Sequence, residues 1–263
     1  MERENVNIVP EGRAFSHTGD KDTGILFIHG FTGMPESMRE IATYFAQRGY
    51  HIELPRLSGH GTDNWRNMEG VTYKDWEKDV ENAFLKLKER ASNIFIVGLS
   101  MGGTLTLYLA EKYPDEIRGI ILINPAIFVH DKMVKWVPFL KYFIFVHPGI
   151  GSDIKKDKVF EPAYKKFPIT SAYELYRLTE EVRKDLPKVI APLLMMASEH
   201  DHLVPIIDKK HIYGNVSSTV KDILVLENSY HVATMDNDQE KIIEGIKNWI
   251  SKNKNGVKLN IEK

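Results

Sequence analysis

One strand-turn-helix pattern limits how this chain can fold more than any other. The apolar run Ile94-Phe95-Ile96-Val97 predicts a buried strand, and residues 104–110 predict a helix. Between them lies Gly98-Leu99-Ser100-Met101-Gly102, a G-x-S-x-G sequence. In this context it predicts a sharp turn that strains its serine and exposes the hydroxyl, while the glycines leave room where a side chain would collide. We therefore predict that Ser100 is a nucleophile; the alternative is a plain glycine-rich turn.

Short apolar runs alternate with helical patterns over much of the chain. The predicted strands are residues 25–28, 50–54, 94–97, 119–123, 193–196 and 223–226. The predicted helices include residues 35–48, 73–90 and 239–250. Continuous apolar strands separated by helices indicate an α/β fold, with a mostly parallel sheet and helices on both faces.

This alternation stops between residues 127 and 189, where aromatic residues, prolines and helical patterns occur without a convincing strand. We predict that residues 127–189 form a helical cap, inserted after the strand that ends at Asn124. The core would then consist of residues 1–126 and 190–263. Such a cap would lie over the carboxyl ends of the strands, where parallel sheets bind ligands. The alternative is a long loop elsewhere on the surface.

Charge and cysteine content narrow the function classes. A formal net charge of −1 gives no electrostatic reason to expect nucleic acid or an anionic membrane as a partner. The absence of cysteine excludes disulfides and thiolate metal sites. Residues 1–5 are polar and lack a secretory apolar segment, and the most apolar stretch, residues 134–146, is too short to span a bilayer. We therefore expect a cytoplasmic protein without integral membrane association.

A nucleophilic serine needs a base, and proteins with this turn place the triad in the order Ser, Asp or Glu, His. His231 follows the last predicted strand after a short loop, where the base is expected. Asp201 follows the preceding strand and is the better candidate for the acid, with Glu199 second. The predicted catalytic residues are thus Ser100, Asp201 and His231. The run His200-Asp201-His202 has no evident distant partners, so we expect no metal site.

The same chemistry requires two backbone N–H groups directed at the developing oxyanion. One is expected from Met101, the residue after the nucleophile. The other is expected from Phe31 in the loop His29-Gly30-Phe31-Thr32-Gly33 after an early strand. We interpret His29 as a structural residue whose imidazole braces this loop.

Four segments together resemble the bacterial monoacylglycerol lipase and carboxylesterase group of the α/β-hydrolase fold. They are residues 29–33, residues 54–62, residues 98–109 and Asn228-Ser229-Tyr230-His231-Val232-Ala233-Thr234. The resemblance implies a helical cap inserted after the sixth strand of that fold. It also implies a serine hydrolase that cleaves monoacylglycerols to fatty acid and glycerol through an acyl-enzyme and needs no cofactor. The expected partner is a small-molecule lipid ester.

Two cap residues gain a role only through this resemblance. Glu161 falls on the position of a family glutamate that contacts the glycerol hydroxyls, although by itself it reads as a surface residue in a lysine-rich segment. Ile150 falls on an apolar position that narrows the substrate path. The apolar residues 136–145 could line an acyl channel and touch lipid aggregates transiently, or could only pack the cap onto the core.

Two other functions remain open. A broad carboxylesterase would use the same catalytic residues on short acyl esters. A non-catalytic ligand-binding protein of the same fold would not need Ser100, Asp201 and His231 together. The sequence predicts neither the oligomeric state nor the preferred acyl-chain length.

Overall fold

The computed structural model describes residues 6–140, 145–149 and 152–254, and its framework is a seven-stranded sheet. The described strands are β1 (Phe15–His17), β2 (Thr23–Ile28), β3 (His51–Leu54), β4 (Asn93–Leu99), β5 (Ile117–Ile123), β6 (Val146–Pro148), β7 (Lys166–Pro168), β8 (Leu193–Ser198) and β9 (Lys221–Leu226). The order across the large sheet is β1-β3-β2-β4-β5-β8-β9, and every neighbouring pair is parallel except β1 and β3. The prediction of a mostly parallel sheet is confirmed.

The edge strand β1 was not predicted from the sequence. It has three residues and pairs antiparallel with β3, so that Ser16 lies opposite Glu53. The Ser16 hydroxyl donates a hydrogen bond to Glu53 Oε1 at 2.7 Å. A strand of this length at the edge of a sheet shows no periodic pattern, which is why the sequence did not reveal it.

Helices cover both faces of the sheet. They are α1 (Glu36–Ala46), α2 (Tyr73–Lys88), α3 (Met101–Lys112), α4 (Val137–Leu140), α5 (Ile169–Asp185), α6 (Ile206–Asn215) and α7 (Gln239–Asn253). In β2, Ile25 and Phe27 join a buried cluster that includes residues of α1 and α7. Leu26 and Ile28 join the opposite cluster, which includes residues of α2, α3, α5 and α6. Successive side chains of one strand thus bury in two different cores, which requires helices on both faces, as predicted.

The segment between β5 and β8 contains two short strands, so the expectation that residues 127–189 hold no strand was wrong. β6 and β7 pair antiparallel, with His147 opposite Phe167. Each strand has only three residues, which is too short for a recognisable alternation of side chains. Each also ends in a proline, which cannot donate a hydrogen bond to a neighbouring strand and so argues against a strand in the sequence. Along the described chain, the strand that precedes this segment is the fifth rather than the sixth.

The inserted segment is packed on the rest of the molecule through α5. Leu178 and Val182 of this helix are buried in the same cluster as Ile94, Ile96 and Ile120 of the sheet. Ile169, at the start of α5, is buried instead against Val134 and Val137. One helix therefore joins the insertion to the main core.

The described part of residues 136–145 is largely exposed. Trp136, Phe139 and Phe145 are 63%, 68% and 68% exposed, whereas Val137 is buried. Residues 141–144 of this stretch lie outside the described residues. None of the helices in the described ranges combines the length and the apolar character needed to cross a membrane.

Candidate active site

Ser100 stands at the turn between β4 and α3, with φ 56° and ψ −118°. The helix α3 begins at Met101, directly after this serine and earlier than predicted. A Cβ on Gly98 would lie 2.2 Å from the carbonyl oxygen of Gly102, and a Cβ on Gly102 would lie 2.2 Å from that of Ile28. Neither position can hold a side chain without a backbone shift. The predicted strained turn is therefore present, with the serine in a region of φ that only surrounding structure can maintain.

His231 and Asp201, far apart in the sequence, are hydrogen-bonded in the structure. Nδ1 of His231 lies 3.0 Å from Oδ1 of Asp201. The same oxygen accepts the backbone N–H groups of Leu203 at 3.0 Å and Val204 at 2.9 Å, which fixes the carboxylate on its turn. Glu199, the second candidate for the acid, is exposed. Of the two carboxylates weighed from the sequence, Asp201 is the one in contact with the imidazole.

The surroundings of Asp201 determine which imidazole nitrogen carries the proton. Burial by itself would raise the pKa of Asp201, but the hydrogen bonds and charges of His231 and Lys209 hold it well below its usual range. An ionised carboxylate can only accept hydrogen bonds, so Nδ1 of His231 is the donor. In the neutral imidazole, Nε2 of His231 then carries no proton and is available as a base.

Ser100 and His231 line the same cavity, which has a volume of about 240 Å³. Within the described residues, no hydrogen bond joins the Ser100 hydroxyl to the imidazole. Such bonds are often long before substrate binds and tighten in the substrate complex. The geometry therefore places the hydroxyl and the base at one site without a preformed bond between them.

The backbone of His231 is held by side chains that sequence reasoning did not single out. Asp153 Oδ2 accepts the His231 N–H at 3.1 Å, and Asn124 Nδ2 donates to the His231 carbonyl at 2.8 Å. Asp236, which is buried, accepts the N–H of Tyr230 at 2.9 Å. Asn124 has φ 43° and follows β5 directly. A polar residue at the end of a buried strand is the signal that could have indicated it.

Phe31 and Met101, the predicted oxyanion donors, lie on two backbone segments next to Ser100. Met101 is the first residue of α3, and Phe31 follows β2. A Cβ on Gly30 would lie only 3.3 Å from Ser100 Cβ, which shows how closely the Phe31 loop approaches the serine. In the described part of the chain, no hydrogen bond uses the backbone N–H of Phe31 or Met101. Both donors are therefore free, and the N-terminus of α3 adds a favourable dipole for an anion.

His29 has contacts on both ring nitrogens that suit its interpretation as a brace. Nδ1 lies 2.9 Å from the Gly30 carbonyl, and Nε2 accepts the Leu57 N–H at 3.2 Å. Burial first, and then the nearby His60, lower the pKa of His29 to about 3. The ring thus stays neutral, with Nδ1 as donor and Nε2 as acceptor, and it joins two loops of the site.

Glu161 also lines the cavity that contains Ser100 and His231. The Glu161 side chain packs closely on Gly33: a Cβ atom added to Gly33 would lie 2.7 Å from Glu161 Oε1. Burial raises the pKa of Glu161 to about 8. Between described residues, its carboxyl group has neither a hydrogen bond nor an ion pair, whereas its backbone N–H donates to Ser152 Oγ at 2.9 Å. The raised pKa favours the carboxylic acid form, which can both donate and accept.

The cavity is lined by both apolar and polar side chains. Its lining includes the apolar side chains of Leu99, Phe128, Val129, Leu175, Leu203, Val204 and Val232. Thr32, His130, Asp131 and Glu161 contribute polar groups. Ile150, predicted to narrow the substrate path, lies outside the described residues.

Asp201 and His202 contact other potential metal ligands only in pairs within the described residues. His202 Nδ1 lies 2.8 Å from Asp153 Oδ1, while Asp201 contacts His231 and Lys209. Across residues 6–140, 145–149 and 152–254, no group of three or more potential ligands is placed to hold a metal ion.

Comparison with known proteins gives a consistent result. The family model Hydrolase_4, described as Serine aminopeptidase, S33, matches residues 19–238. The chain is 46% identical over 224 residues to the thermostable monoacylglycerol lipase of Bacillus sp. (strain H-257), covering 84% of this chain and 87% of the relative. It is 26% identical over 232 residues to a carboxylesterase of Bacillus subtilis (strain 168), covering 88% and 93% of the two chains.

Solved structures support the same grouping. A structure reported with the metagenome-derived lipolytic enzymes LipS and LipT superposes with a TM-score of 0.90 at 39% identity, covering 94% of this chain and all of the other. The monoacylglycerol lipase of Paleococcus ferrophilus has a TM-score of 0.76 at 15% identity, covering 92% and 98% of the two chains. At that identity the second similarity shows the fold alone.

Proposed function

This chain belongs to the Hydrolase_4 family (Serine aminopeptidase, S33), and we propose that it hydrolyses monoacylglycerols to a fatty acid and glycerol. The relatives described above are lipases and esterases, which hydrolyse carboxylic esters, and 46% identity to a monoacylglycerol lipase supports this substrate. One observation carries the proposal. Ser100, His231 and the carboxyl of Glu161 line a single cavity, and His231 is hydrogen-bonded to Asp201.

In the proposed acylation step, Ser100 Oγ attacks the ester carbonyl carbon while Nε2 of His231 removes its proton. Asp201 keeps the imidazole in the required tautomer and stabilises the cation that forms. The N–H groups of Phe31 and Met101 hold the negative charge that develops on the carbonyl oxygen. His231 then gives its proton to the departing glycerol oxygen, and the acyl group remains on Ser100.

Deacylation repeats the sequence with water as the nucleophile. Nε2 of His231 removes a proton from the water as it attacks the acyl carbonyl, and it returns that proton to Ser100 Oγ as the fatty acid leaves. In each half of the cycle, His231 passes on the proton that it removed, so it ends that half in its starting state. The proposed mechanism therefore needs no cofactor.

We propose that residues 127–189 act as the cap of this site. The cavity lining includes Phe128, Val129, Glu161 and Leu175 from this segment, together with Ser100 of the main sheet. The apolar side chains of the lining suit an acyl chain. The carboxyl of Glu161 suits the glycerol hydroxyls, because a neutral acid can donate to one hydroxyl and accept from another.

A broad carboxylesterase acting on short acyl esters is the second candidate. The volume of about 240 Å³ favours it, since drug-sized ligands usually occupy sites of about 300–1,000 Å³. The carboxylesterase of Bacillus subtilis is also among the relatives. The two candidates share the triad and differ in whether the alcohol part of the ester is recognised.

Transient contact with lipid aggregates and a cytoplasmic location complete the proposal. The exposed side chains of Trp136, Phe139 and Phe160 offer apolar surface for such contact. The chain contains no cysteine, which suits a reducing compartment. Neither feature is required for the chemistry at Ser100.

Asp201→Asn is expected to lower kcat for ester hydrolysis by about 10³- to 10⁴-fold. The amide cannot stabilise an imidazolium, and it can donate a hydrogen bond to Nδ1 of His231, which favours the wrong tautomer. Steady-state rates on a soluble ester such as p-nitrophenyl butyrate measure the effect. The exposed Glu199→Gln is the matched control and should keep its activity within about twofold. A normal rate for Asp201→Asn with a large loss for Glu199→Gln would contradict the assignment of the acid.

Glu161→Ala is expected to lower kcat/KM for monoacylglycerols by about tenfold, because a hydrogen bond to the glycerol part is lost. The matching methyl esters, which have the same acyl chains, should change by no more than about twofold. Glu161→Gln retains a donor and an acceptor and should behave more like the wild type. An equal loss on both ester series would favour the carboxylesterase. Measuring acyl chains of graded length in the same assay would also give the chain-length preference.

A further inference from the structure

A buried lysine is paired with the carboxylate of the proposed triad. Lys209 lies on α6, and its side chain is 3% exposed while that of Asp201 is 2% exposed. Lys209 Nζ donates to Asp201 Oδ2 at 2.6 Å and to the Val204 carbonyl at 2.7 Å. Lysine is rarely this buried, because its charge must be taken out of water. The contact with Asp201 is therefore a specific arrangement rather than a surface ion pair.

The two oxygens of Asp201 have different partners. Oδ1 faces His231 and the backbone N–H groups of Leu203 and Val204, whereas Oδ2 faces Lys209. Rotation of the carboxylate would break bonds on both oxygens at once. Lys209 thereby helps to keep Oδ1 directed at Nδ1 of His231.

The charge of Lys209 has a second consequence. In a triad, the carboxylate stabilises the imidazolium and so raises the pKa of the histidine. A lysine ammonium at 2.6 Å from the same carboxylate offsets part of that negative charge. The imidazole should then gain a proton less readily than it would beside an Asp201 without this partner.

We propose that Lys209 is a positioning residue that orients Asp201 and keeps His231 in its basic, unprotonated form to lower pH. This inference rests on the proposed function, because it assigns catalytic roles to Asp201 and His231. It adds a residue from α6 that neither lines the cavity nor contacts the imidazole, and whose ammonium group binds Asp201 and the Val204 carbonyl.

Other charged or titratable groups surround His231 and remain in place when Lys209 is changed. Four of them come from the inserted segment, one from the segment after β8 and one from the segment between β9 and α7: Asp153, Glu161, His130 and Asp131, then His202, then Asp236. Asp153 and Asp236 bind backbone N–H groups at His231 and Tyr230. A comparison that alters Lys209 alone keeps these contributions constant.

The test is a pH titration of Lys209→Met beside the matched control Lys210→Met. Lys210 is the next residue on α6 and is exposed. Methionine keeps much of the length of the lysine side chain and removes its charge. We expect the pKa of His231, followed by NMR of the imidazole, to rise by about one pH unit in Lys209→Met. Lys210→Met should leave it at the wild-type value.

Enzyme kinetics give a second readout from the same variants. The acid limb of kcat/KM should move to higher pH by about the same amount in Lys209→Met, and kcat on the plateau should fall by about tenfold with KM nearly unchanged. A lower plateau with an unmoved acid limb would overturn the proposal, because loss of structure alone predicts that result. An unchanged His231 titration would overturn it as well.

The absence of cysteine from the sequence allows a chemical rescue. Lys209→Cys provides a single thiol, which can be alkylated in the denatured chain with either 2-bromoethylamine or 1-bromopropane before refolding. The first product restores an ammonium group, and the second has a similar length without a charge. The aminoethyl product should titrate like the wild type and the propyl product like Lys209→Met. Identical titrations of the two products would contradict the proposal even if Lys209→Met does not fold.

The experiment also separates this inference from the proposed function. The NMR titration of His231 needs no substrate. If the wild type hydrolyses no ester and Ser100 reacts with no fluorophosphonate, the proposed function fails while the titration still tests the electrostatic role of Lys209. If the wild type is active and the titrations coincide, only the inference about Lys209 fails.

Discussion

Ser100→Ala is expected to lower kcat for ester hydrolysis by on the order of 10⁴-fold or more. The substitution removes the oxygen that forms the acyl-enzyme, and no neighbouring group can replace it at the turn. Alanine tolerates the φ of 56° no better or worse than serine, so the fold should be retained. Activity that remains would come from the N–H groups of Phe31 and Met101 and from substrate binding.

The measurement combines rates with covalent labelling. Wild-type protein should react with a fluorophosphonate at Ser100, and Ser100→Ala should not react. The exposed Ser217→Ala is the matched control and should be labelled and active like the wild type. Absence of labelling in folded wild-type protein would instead favour a non-catalytic ligand-binding protein of this fold.

His231→Ala is expected to cost a similar factor in kcat, on the order of 10⁴-fold or more. Without the imidazole, no base removes the serine proton and no acid protonates the departing glycerol. The loss should appear in kcat more than in KM, because the imidazole acts on the reacting atoms rather than on substrate affinity. Fluorophosphonate labelling of Ser100 should slow as well, since it depends on the same activated hydroxyl.

His202→Ala is the control that makes this result specific. His202 is 57% exposed in its side chain, and it shares Asp153 with the backbone of His231. His202 therefore depends on the same local structure as His231 but does not line the cavity that contains Ser100. We expect its kcat to stay within about threefold of the wild type. Equal losses in the two variants would mean that the loop structure, rather than the imidazole of His231, accounts for the effect.

The three triad candidates could be found from sequence because each follows a recognisable local pattern. Gly98 and Gly102 bracket Ser100, and contacts of 2.2 Å at both positions show why only glycine fits. Asp201 and His231 come shortly after β8 and β9, whose apolar runs predicted strands from the sequence. Neighbouring parallel strands end at the same edge of a sheet, so the topology brings these residues together.

The state of Glu161 required the tertiary structure. The resemblance suggested a carboxylate that accepts hydrogen bonds from glycerol. Burial beside Gly33 raises its pKa to about 8, which favours the acid form that also donates. Desolvation depends on everything packed around a side chain, and a lysine-rich segment such as residues 155–166 gives no sign of it.

The sequence by itself determined the alternating strands and helices, the strained turn at Ser100 and the order in which the triad candidates occur. These features depend on backbone sterics and on apolar periodicity between near neighbours, which any short window of the chain displays. Only the tertiary structure decided that Asp201 rather than Glu199 contacts His231, that Asp153 and Asn124 hold its backbone, and that Lys209 is buried against Asp201. Each of those contacts depends on the direction of a side chain within a packed interior. That direction is set by residues distant in sequence, so local patterns do not contain it.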